Sequence, residues 1–425
     1  MDRIKQLAGH LSSSKGRDAL LRNGPDDVVI VFARRSPLTK SRKGGFKDTN
    51  SSELLTSMFK ATIEHSGVDP KLIQDICVGT VLPKGPTYEA RSAALAAGIP
   101  QEVPIQTINR FCSSGLMAVA NIANAIRAGQ IDIGLAVGVE SMSANPDEGA
   151  HRLSDDIMNH PIARDNIQPM GWTSENVAAD FNVTRERMDA FAAASFQRAE
   201  RAQALGYFDK EIVPLEGFAK DPTTGERKRI IVSRDDGIRP GTTAEGLGKI
   251  RPAFPQWGHG RTTGGNASQI TDGAAAVLLM TRRRAEQLGV PILAKFVTMS
   301  VVGLAPRIMG IGPAYAIPNV LAATGLSKDD VDLFEINEAF ASMAVYCVQK
   351  LGLDHEKVNV NGGAIALGHP LDTHPRAYSS RPLRATGARQ IATGLAELER
   401  RDKKILVTSM CVGTGMGAAA VFVRE

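Results

Sequence analysis

Apolar positions take over at Asp27, where Val28-Val29-Ile30-Val31-Phe32-Ala33 forms an unbroken run rich in β-branched residues. That pattern predicts a strand over 27–33 covered on both faces. The period then changes. Leu54, Leu55, Met58, Phe59 and Ile63 recur every three or four residues, which predicts a helix over 51–66. A short strand follows at 76–79, then an Ala-rich helix over 90–98 that stops at Gly98-Ile99-Pro100. A strand at 104–108, a small-residue helix at 115–128 and a strand at 131–139 complete the first half. The second half repeats the theme: strand 294–300, helix 314–324, strand 333–336, helix 339–351, then strands at 404–409 and 418–423. Strand and helix in alternation predict an α/β fold with a mostly parallel sheet clothed on both sides. The two halves share their order, and each carries a cysteine just past a strand, so the chain reads as a duplicated α/β unit.

Between the halves the pattern breaks. Residues 142–270 mix proline, glycine and charged stretches around one amphipathic helical piece at 184–205, and they read as an inserted domain. The expected division is 1–25 as leader and linker, 26–141 with 271–290 as the first half, 142–270 as the insert and 291–425 as the second half.

Composition narrows the class. A chain of 425 residues with 43% hydrophobic and 22% charged residues fits an ordinary soluble globular enzyme of more than one unit. The net charge of +5 is modest and suits a solvated surface or the attraction of an acidic ligand. No basic run interleaved with aromatics points to nucleic acid. The four cysteines (Cys77, Cys112, Cys347 and Cys411) form no C-x-x-C, and no histidine cluster has metal-ligand spacing. Free thiols and no metal are therefore expected. No apolar run is long enough for a membrane span.

The leader is distinctive. Arg3-Ile4 is followed by five residues and then His10-Leu11, with Ile4, Leu7 and Leu11 on one helical face. This arrangement resembles the N-terminal peroxisomal import signal of the R-L-x5-H-L type, and implies an import receptor as partner. Residues 12–25, with Ser12-Ser13-Ser14 and Asn23-Gly24-Pro25, read as a linker.

Four stretches carry candidate chemistry. Cys112 stands in Asn109-Arg110-Phe111-Cys112-Ser113-Ser114-Gly115, just before a helix, where the dipole and free N–H groups favour a thiolate and a developing oxyanion. Its plainer reading is a buried structural cysteine. His369 ends a glycine-rich run, Gly362-Gly363-Ala364-Ile365-Ala366-Leu367-Gly368-His369-Pro370, and a neutral imidazole there could take a thiol proton. Asn337-Glu338-Ala339-Phe340 follows a strand; Asn337 could hold a water or a carbonyl, or simply cap a helix, and Glu338 could orient His369. Cys411-Val412-Gly413-Thr414-Gly415 offers a second thiol as acid/base and the Gly413 N–H as an oxyanion donor. The G-x-G-x-G run after a strand also reads as a dinucleotide loop, although the acidic residue expected about 20 residues on has no room before Glu425.

In their order, these four stretches, with Gly265-Asn266-Ala267-Ser268 and Asp272-Gly273-Ala274, closely resemble the thiolase family over about residues 27–424. With the leader, the nearest branch is that of peroxisomal 3-ketoacyl-CoA thiolases. The resemblance implies a duplicated five-layered α-β-α-β-α fold with an inserted loop domain that binds CoA. It implies Cys112 as nucleophile, His369 as its base, Cys411 as acid/base, Asn337 through a water as a partner of the enolate, and the N–H groups of Cys112 and Gly413 as the oxyanion hole. Ser268 is implied as a pantetheine contact and Arg239 as a neighbour of the CoA nucleotide. CoA is then a co-substrate, no cofactor is permanently bound, and a homodimer is expected. The degradative reaction competes with two other readings: an acetoacetyl-CoA thiolase running toward condensation, and an inactive acyl-CoA or lipid carrier on the same fold.

One departure stands out. The family pattern G-H-P-L-G-x-T-G-A-R is split here after Leu371. Thirteen residues, 372–384, occupy the place of one glycine before Ala385-Thr386-Gly387-Ala388-Arg389 resumes. Their prolines, serines and arginines read as loop. A gene-model error such as a retained intron, a tolerated surface loop and an insertion that impairs catalysis are the three competing origins, and the clean split of a motif favours the first.

Overall fold

The computed structural model describes residues 15–145, 153–257, 259–368 and 386–425. The leader at 3–11, His369 and the inserted stretch 372–384 lie outside the described residues.

The strands are β1 (Val28–Arg35), β2 (Thr39–Lys40), β3 (Asp75–Gly79), β4 (Ile105–Ile108), β5 (Ile133–Glu140), β6 (Leu215–Lys220), β7 (Arg227–Val232), β8 (Thr271–Thr281), β9 (Ala294–Gly303), β10 (Leu333–Ile336), β11 (Ile405–Val412) and β12 (Met416–Arg424). The longer helices are α1 (Ser51–Ser66), α2 (Pro86–Ala96), α3 (Ser114–Arg127), α4 (Met170–Asp180), α5 (Arg185–Ala204), α6 (Pro313–Thr324), α7 (Ala341–Leu351) and α8 (Thr386–Arg400). Helix α1 matches its predicted span because local chemistry fixes both ends. The Asn50 side chain accepts from the Glu53 N–H at 2.9 Å while the Glu53 carboxylate accepts from the Asn50 N–H at 2.9 Å, and Gly67 closes the helix at φ 69°.

The main sheet runs β4-β3-β5-β8-β1 and continues β9-β12-β11-β10. The two runs meet through β1 and β9, paired at Val29 with Lys295 and Ile30 with Ala294. They match strand for strand. β3 and β5 are parallel, as are β10 and β11; β8 and β12 then pair antiparallel in each run, and β1 and β9 close them antiparallel. The counterpart of β4 is reduced to one parallel bridge between Phe334 and Val358. The expected mostly parallel sheet is thus corrected to a mixed one. The reason is β8, an Ala-rich strand with weak β propensity and no alternation, which the apolar pattern does not reveal.

Five layers follow from where the side chains go. Val29, Val31, Val78, Leu278 and Met280 face α1 and α2, while Ile30, Ala136, Val277 and Leu279 face inward onto α3 and α8. From the other side, Leu406, Met410, Ala420 and Phe422 cover the same two central helices. Val407, Phe334 and Val421 face outward onto α6 and α7. Strands buried on both faces are why the runs read as continuously apolar. The central helices cross closely at Gly387, where a Cβ would sit 2.5 Å from the Leu116 nitrogen.

Two further expectations change. The segment read as a linker is, from Lys15 onward, docked: the Gly16 N–H donates to the Thr324 carbonyl at 2.8 Å, a short helix spans Arg17–Leu21, and Lys295 donates to the Arg22 carbonyl at 2.6 Å. The inserted stretch shares its core with the second half, since Met188, Ala192, Phe196 and Ala199 of α5 cluster with Ala341, Val345, Ile365 and Leu367.

At the start of β8, Asp272 is fully buried and accepts from the Ser143 N–H at 2.9 Å and hydroxyl at 2.5 Å. Burial pushes its carboxyl up to about 7, against the pull of the Ser143 and Met142 donors and with a further push from Asp236. A carboxyl raised on folding contributes stability in full below its unfolded value. That contribution is lost as pH rises toward the folded value and levels off above it. We predict that unfolding free energy falls between about pH 4 and about pH 7 by more in the parent than in Asp272→Asn, which urea titrations across that range would reveal. Equal slopes would overturn the assignment.

Candidate active site

Three of the sequence candidates, Cys112, Asn337 and Cys411, lie at or near the ends of strands of the main sheet. β4 stops at Ile108 and the chain turns through Phe111, at φ 44°, into Cys112 and then α3. β10 stops at Ile336, and the Asn337 N–H carries the ladder one step further by donating to the Ser409 carbonyl at 2.9 Å. Cys411 lies within β11, one residue before its end, rather than past the strand. The carboxyl ends of parallel strands are where such sheets present their ligands. Because β11 is the counterpart of β5 and not of β4, the two cysteines are not duplicates of each other. The counterpart of the Cys112 turn is the stretch that follows Val358 and runs to Gly368.

Cys112, Asn337 and Cys411 are all buried. The Cys112 sulfur lies close enough to Cys411 to act on its titration. Burial, then the neighbouring Cys112 sulfur, pushes the Cys411 thiol well above its ordinary value. A thiol so raised holds its proton firmly, and once it has given that proton away its thiolate is a strong base. Burial also pushes Cys77 and Cys347 up to about 12, which keeps those two thiols protonated and inert.

The helix start does not present its first donors as expected. The Ser113 and Ser114 N–H groups donate to the carbonyls of Arg110 and Phe111 at 3.1 and 3.0 Å. Gly413 differs from these two serines. Among the described residues its N–H donates to no acceptor, and the Phe111 ring lies 3.4 Å from where a Cβ would stand.

Asn337 caps no helix, since α7 begins after Phe340. Glu338 has an unforeseen task. One carboxylate oxygen accepts from Asn359 Nδ2 at 2.8 Å, and the other from the Ser195 hydroxyl at 2.7 Å and the Ile365 N–H at 3.1 Å. Ser195 in turn accepts from the Gly363 N–H at 3.0 Å. Glu338 therefore grips the Gly363–Ile365 turn, the approach to His369, through the backbone. Burial pushes its carboxyl up and these donors pull it back. Asn359 closes the knot, exchanging both amide bonds with the Ile336 backbone at 2.8 Å. We predict that Glu338→Gln, which sets an NH2 against one of these donors, costs about 1–3 kcal/mol in urea unfolding. It should also lower kcat about tenfold or more through misplacement of that turn. Parent stability with parent kcat would sink this role.

Ser268 lies beside the Cys411 shell, because its neighbour Ala267 and its partner Ala339 both belong to that shell. Ser268 straps the Ala339 turn, its N–H and its hydroxyl both reaching the Ala339 carbonyl at 3.0 Å. Its lone pairs remain for a ligand N–H. Arg239 is half-buried with its guanidinium 5.4 Å from the Phe196 ring centre, and burial draws its pKa down. Sequence reasoning missed Ser195, Asn359 and Asp189, which accepts from Asn266 Nδ2 at 2.8 Å. Only the Asn359-Val360-Asn361-Gly362-Gly363 run, an obvious turn, held a signal.

Comparison with known families decides the kinship. A thiolase N-terminal domain matches residues 28–283, and a thiolase C-terminal domain matches residues 290–424. The chain belongs to the thiolase family. Among its relatives, a peroxisomal 3-ketoacyl-CoA thiolase of Yarrowia lipolytica is 54% identical over the whole of both chains. A peroxisomal 3-ketoacyl-CoA thiolase of Arabidopsis thaliana is 51% identical over all of this chain and 96% of its own. The dimeric peroxisomal thiolase of Saccharomyces cerevisiae superposes with a TM-score of 0.87 at 48% identity, covering 96% of this thiolase and all of the yeast chain. The paired thiols of this thiolase thus sit in a scaffold shared with enzymes named for cleaving 3-ketoacyl-CoA.

Proposed function

We propose that this thiolase is a degradative 3-ketoacyl-CoA thiolase, transferring the acyl group of a 3-ketoacyl-CoA to CoA and releasing acetyl-CoA, in the peroxisomal matrix. The observation that carries the reading is the pair of buried thiols, Cys112 just past β4 and Cys411 near the end of β11, close enough for one to act on the other.

The chemistry balances on this chain's own groups. His369, outside the described residues, would take the Cys112 proton. The thiolate adds to the 3-keto carbonyl, and the N–H groups of Cys112 and Gly413 hold the oxyanion. Collapse breaks the bond between C2 and C3, leaving an acyl thioester on Cys112 and the enolate of acetyl-CoA beside Asn337 and His369. Cys411 protonates that enolate and becomes the thiolate. The same thiolate takes the proton of incoming CoA, whose sulfur then displaces Cys112. No metal or resident cofactor is required, and CoA serves as co-substrate. Ser268 would meet the pantetheine arm and Arg239 the nucleotide. On this reading residues 142–270 serve CoA binding between halves 26–141 with 271–290 and 291–425. The leader at 1–25 would engage the import receptor, and two copies would form the working dimer.

CoA-dependent cleavage of 3-ketohexadecanoyl-CoA and of acetoacetyl-CoA tests the reading. Higher kcat/KM on the long chain is expected. Preference for acetoacetyl-CoA would favour the condensing enzyme, and acyl-CoA binding without acyl-Cys112 would favour the carrier.

A further inference from the structure

Cys411 sits in an apolar shell of Met170, Ala267, Met309, Ala339, Phe340 and Met343. Within that shell its S–H donates to the thioether of Met343, whose Sδ lies 3.9 Å from Cys411 Sγ, and the Cys112 thiol is near enough to act on its titration. Met343 Sδ also accepts the Phe340 N–H at 3.2 Å. That N–H belongs to the turn that carries Asn337 and Glu338 into α7. One sulfur atom therefore ties the acid/base thiol to the turn beside it.

A thioether is a weak acceptor and has no proton to give. It can receive the Cys411 S–H without taking the proton and without supplying a donor that would favour the thiolate. We propose that Met343 is a positioning residue for Cys411, accepting its S–H so that the proton is held between the two sulfurs and aimed by the Phe340 N–H. The proposal rests on the thiolytic reading above, in which Cys411 first gives a proton to the enolate and then takes one from CoA. Before the first transfer, Met343 gives the S–H a partner when Cys112 is occupied by the acyl group. After it, the thioether offers the new thiolate nothing, so the thiolate turns to the CoA thiol. The titratable groups acting on Cys411 among the described residues are Cys112 and Cys347.

Two variants separate positioning from packing. Met343→Leu keeps the volume and removes the acceptor. Met343→Gln sets an amide N–H against the sulfur. Thiolysis kinetics give the first readout: in Met343→Leu, kcat is expected to fall about five- to tenfold with KM within about twofold. The second needs no substrate. In a Cys112→Ser background, the ultraviolet thiolate signal of Cys411 is followed with pH. Met343→Leu should move its midpoint down by about half a pH unit, and Met343→Gln further still. Unmoved midpoints in both variants overturn the proposal, even if melting temperature and kcat drop, because that outcome describes packing alone. An inactive parent enzyme would overturn the thiolytic reading instead, and the thiolate titration would still report on the contact.

Discussion

Cys112→Ala is expected to abolish CoA-dependent cleavage of 3-ketoacyl-CoA, lowering kcat by roughly 10^4-fold or more, as removal of a covalent nucleophile does. The fold should survive. Cys112 is buried beside Leu116 and Met410 in the central layer, and loss of one sulfur there costs about 1 kcal/mol, a small part of a two-sheet core. Its Ser113 and Ser114 neighbours keep their bonds to Arg110 and Phe111, because those are made by the backbone. Two measurements check the result: steady-state thiolysis, and mass spectrometry of the enzyme quenched with substrate in the absence of CoA. The parent should carry an acyl adduct on Cys112 and the variant none, while circular dichroism remains that of the parent. Activity within tenfold of the parent would remove Cys112 from the mechanism. Acylation of Cys411 in the variant would exchange the roles of the two thiols, which their unequal positions in the fold argue against, since Cys411 is locked into a ladder and Cys112 sits on a turn.

The sequence made legible whatever is decided locally. Helix α1 was readable to the residue because Asn50, Glu53 and Gly67 set its ends without help from the rest of the chain. Helix α5 was readable from Thr184, whose hydroxyl accepts from the Arg187 N–H at 3.4 Å. Strand β8 was not, since Gly273 and three alanines in a row have neither the period nor the bulk of a strand, and only the two-sided cover of α1 and α3 makes them one. Cys112 and Cys411 were found by motif, but their relation was misread. Both follow apolar runs, and only the pairing of β11 beside β10 shows that Cys411 matches the end of β5. Glu338, Ser195, Asn359 and Met343 act through contacts between residues up to 168 apart, which no periodicity encodes.

Replacing residues 372–384 with a single glycine is expected to raise kcat, by up to about a hundredfold. Both flanks are fixed by packing among the described residues. On one side the turn to Gly368 is held by Glu338 at the Ile365 N–H and by Gln269, whose amide donates to the Ile365 and Ala366 carbonyls at 3.1 and 2.8 Å. Gly368 itself, at φ 119°, leaves no room for a Cβ against Thr271. On the other side Thr386 opens α8, and Gly387 lies against Leu116. His369 is the first residue beyond a fixed anchor. The chain from there to the second anchor is 17 residues long, and the replacement cuts it to about five. The shorter connection lowers the entropy of closing the loop by about 1 kcal/mol. It also narrows the positions open to the imidazole, where about one ångström of error costs about a hundredfold in rate. The parent, the shortened chain and the shortened chain with Cys112→Ala, compared in thiolysis and thermal melts, give the answer. A higher kcat and melting temperature in the shortened chain, both reported against a dead Cys112→Ala control, would mark 372–384 as a burden on the base. Equal kcat would make the stretch a benign surface loop and sink the argument from placement.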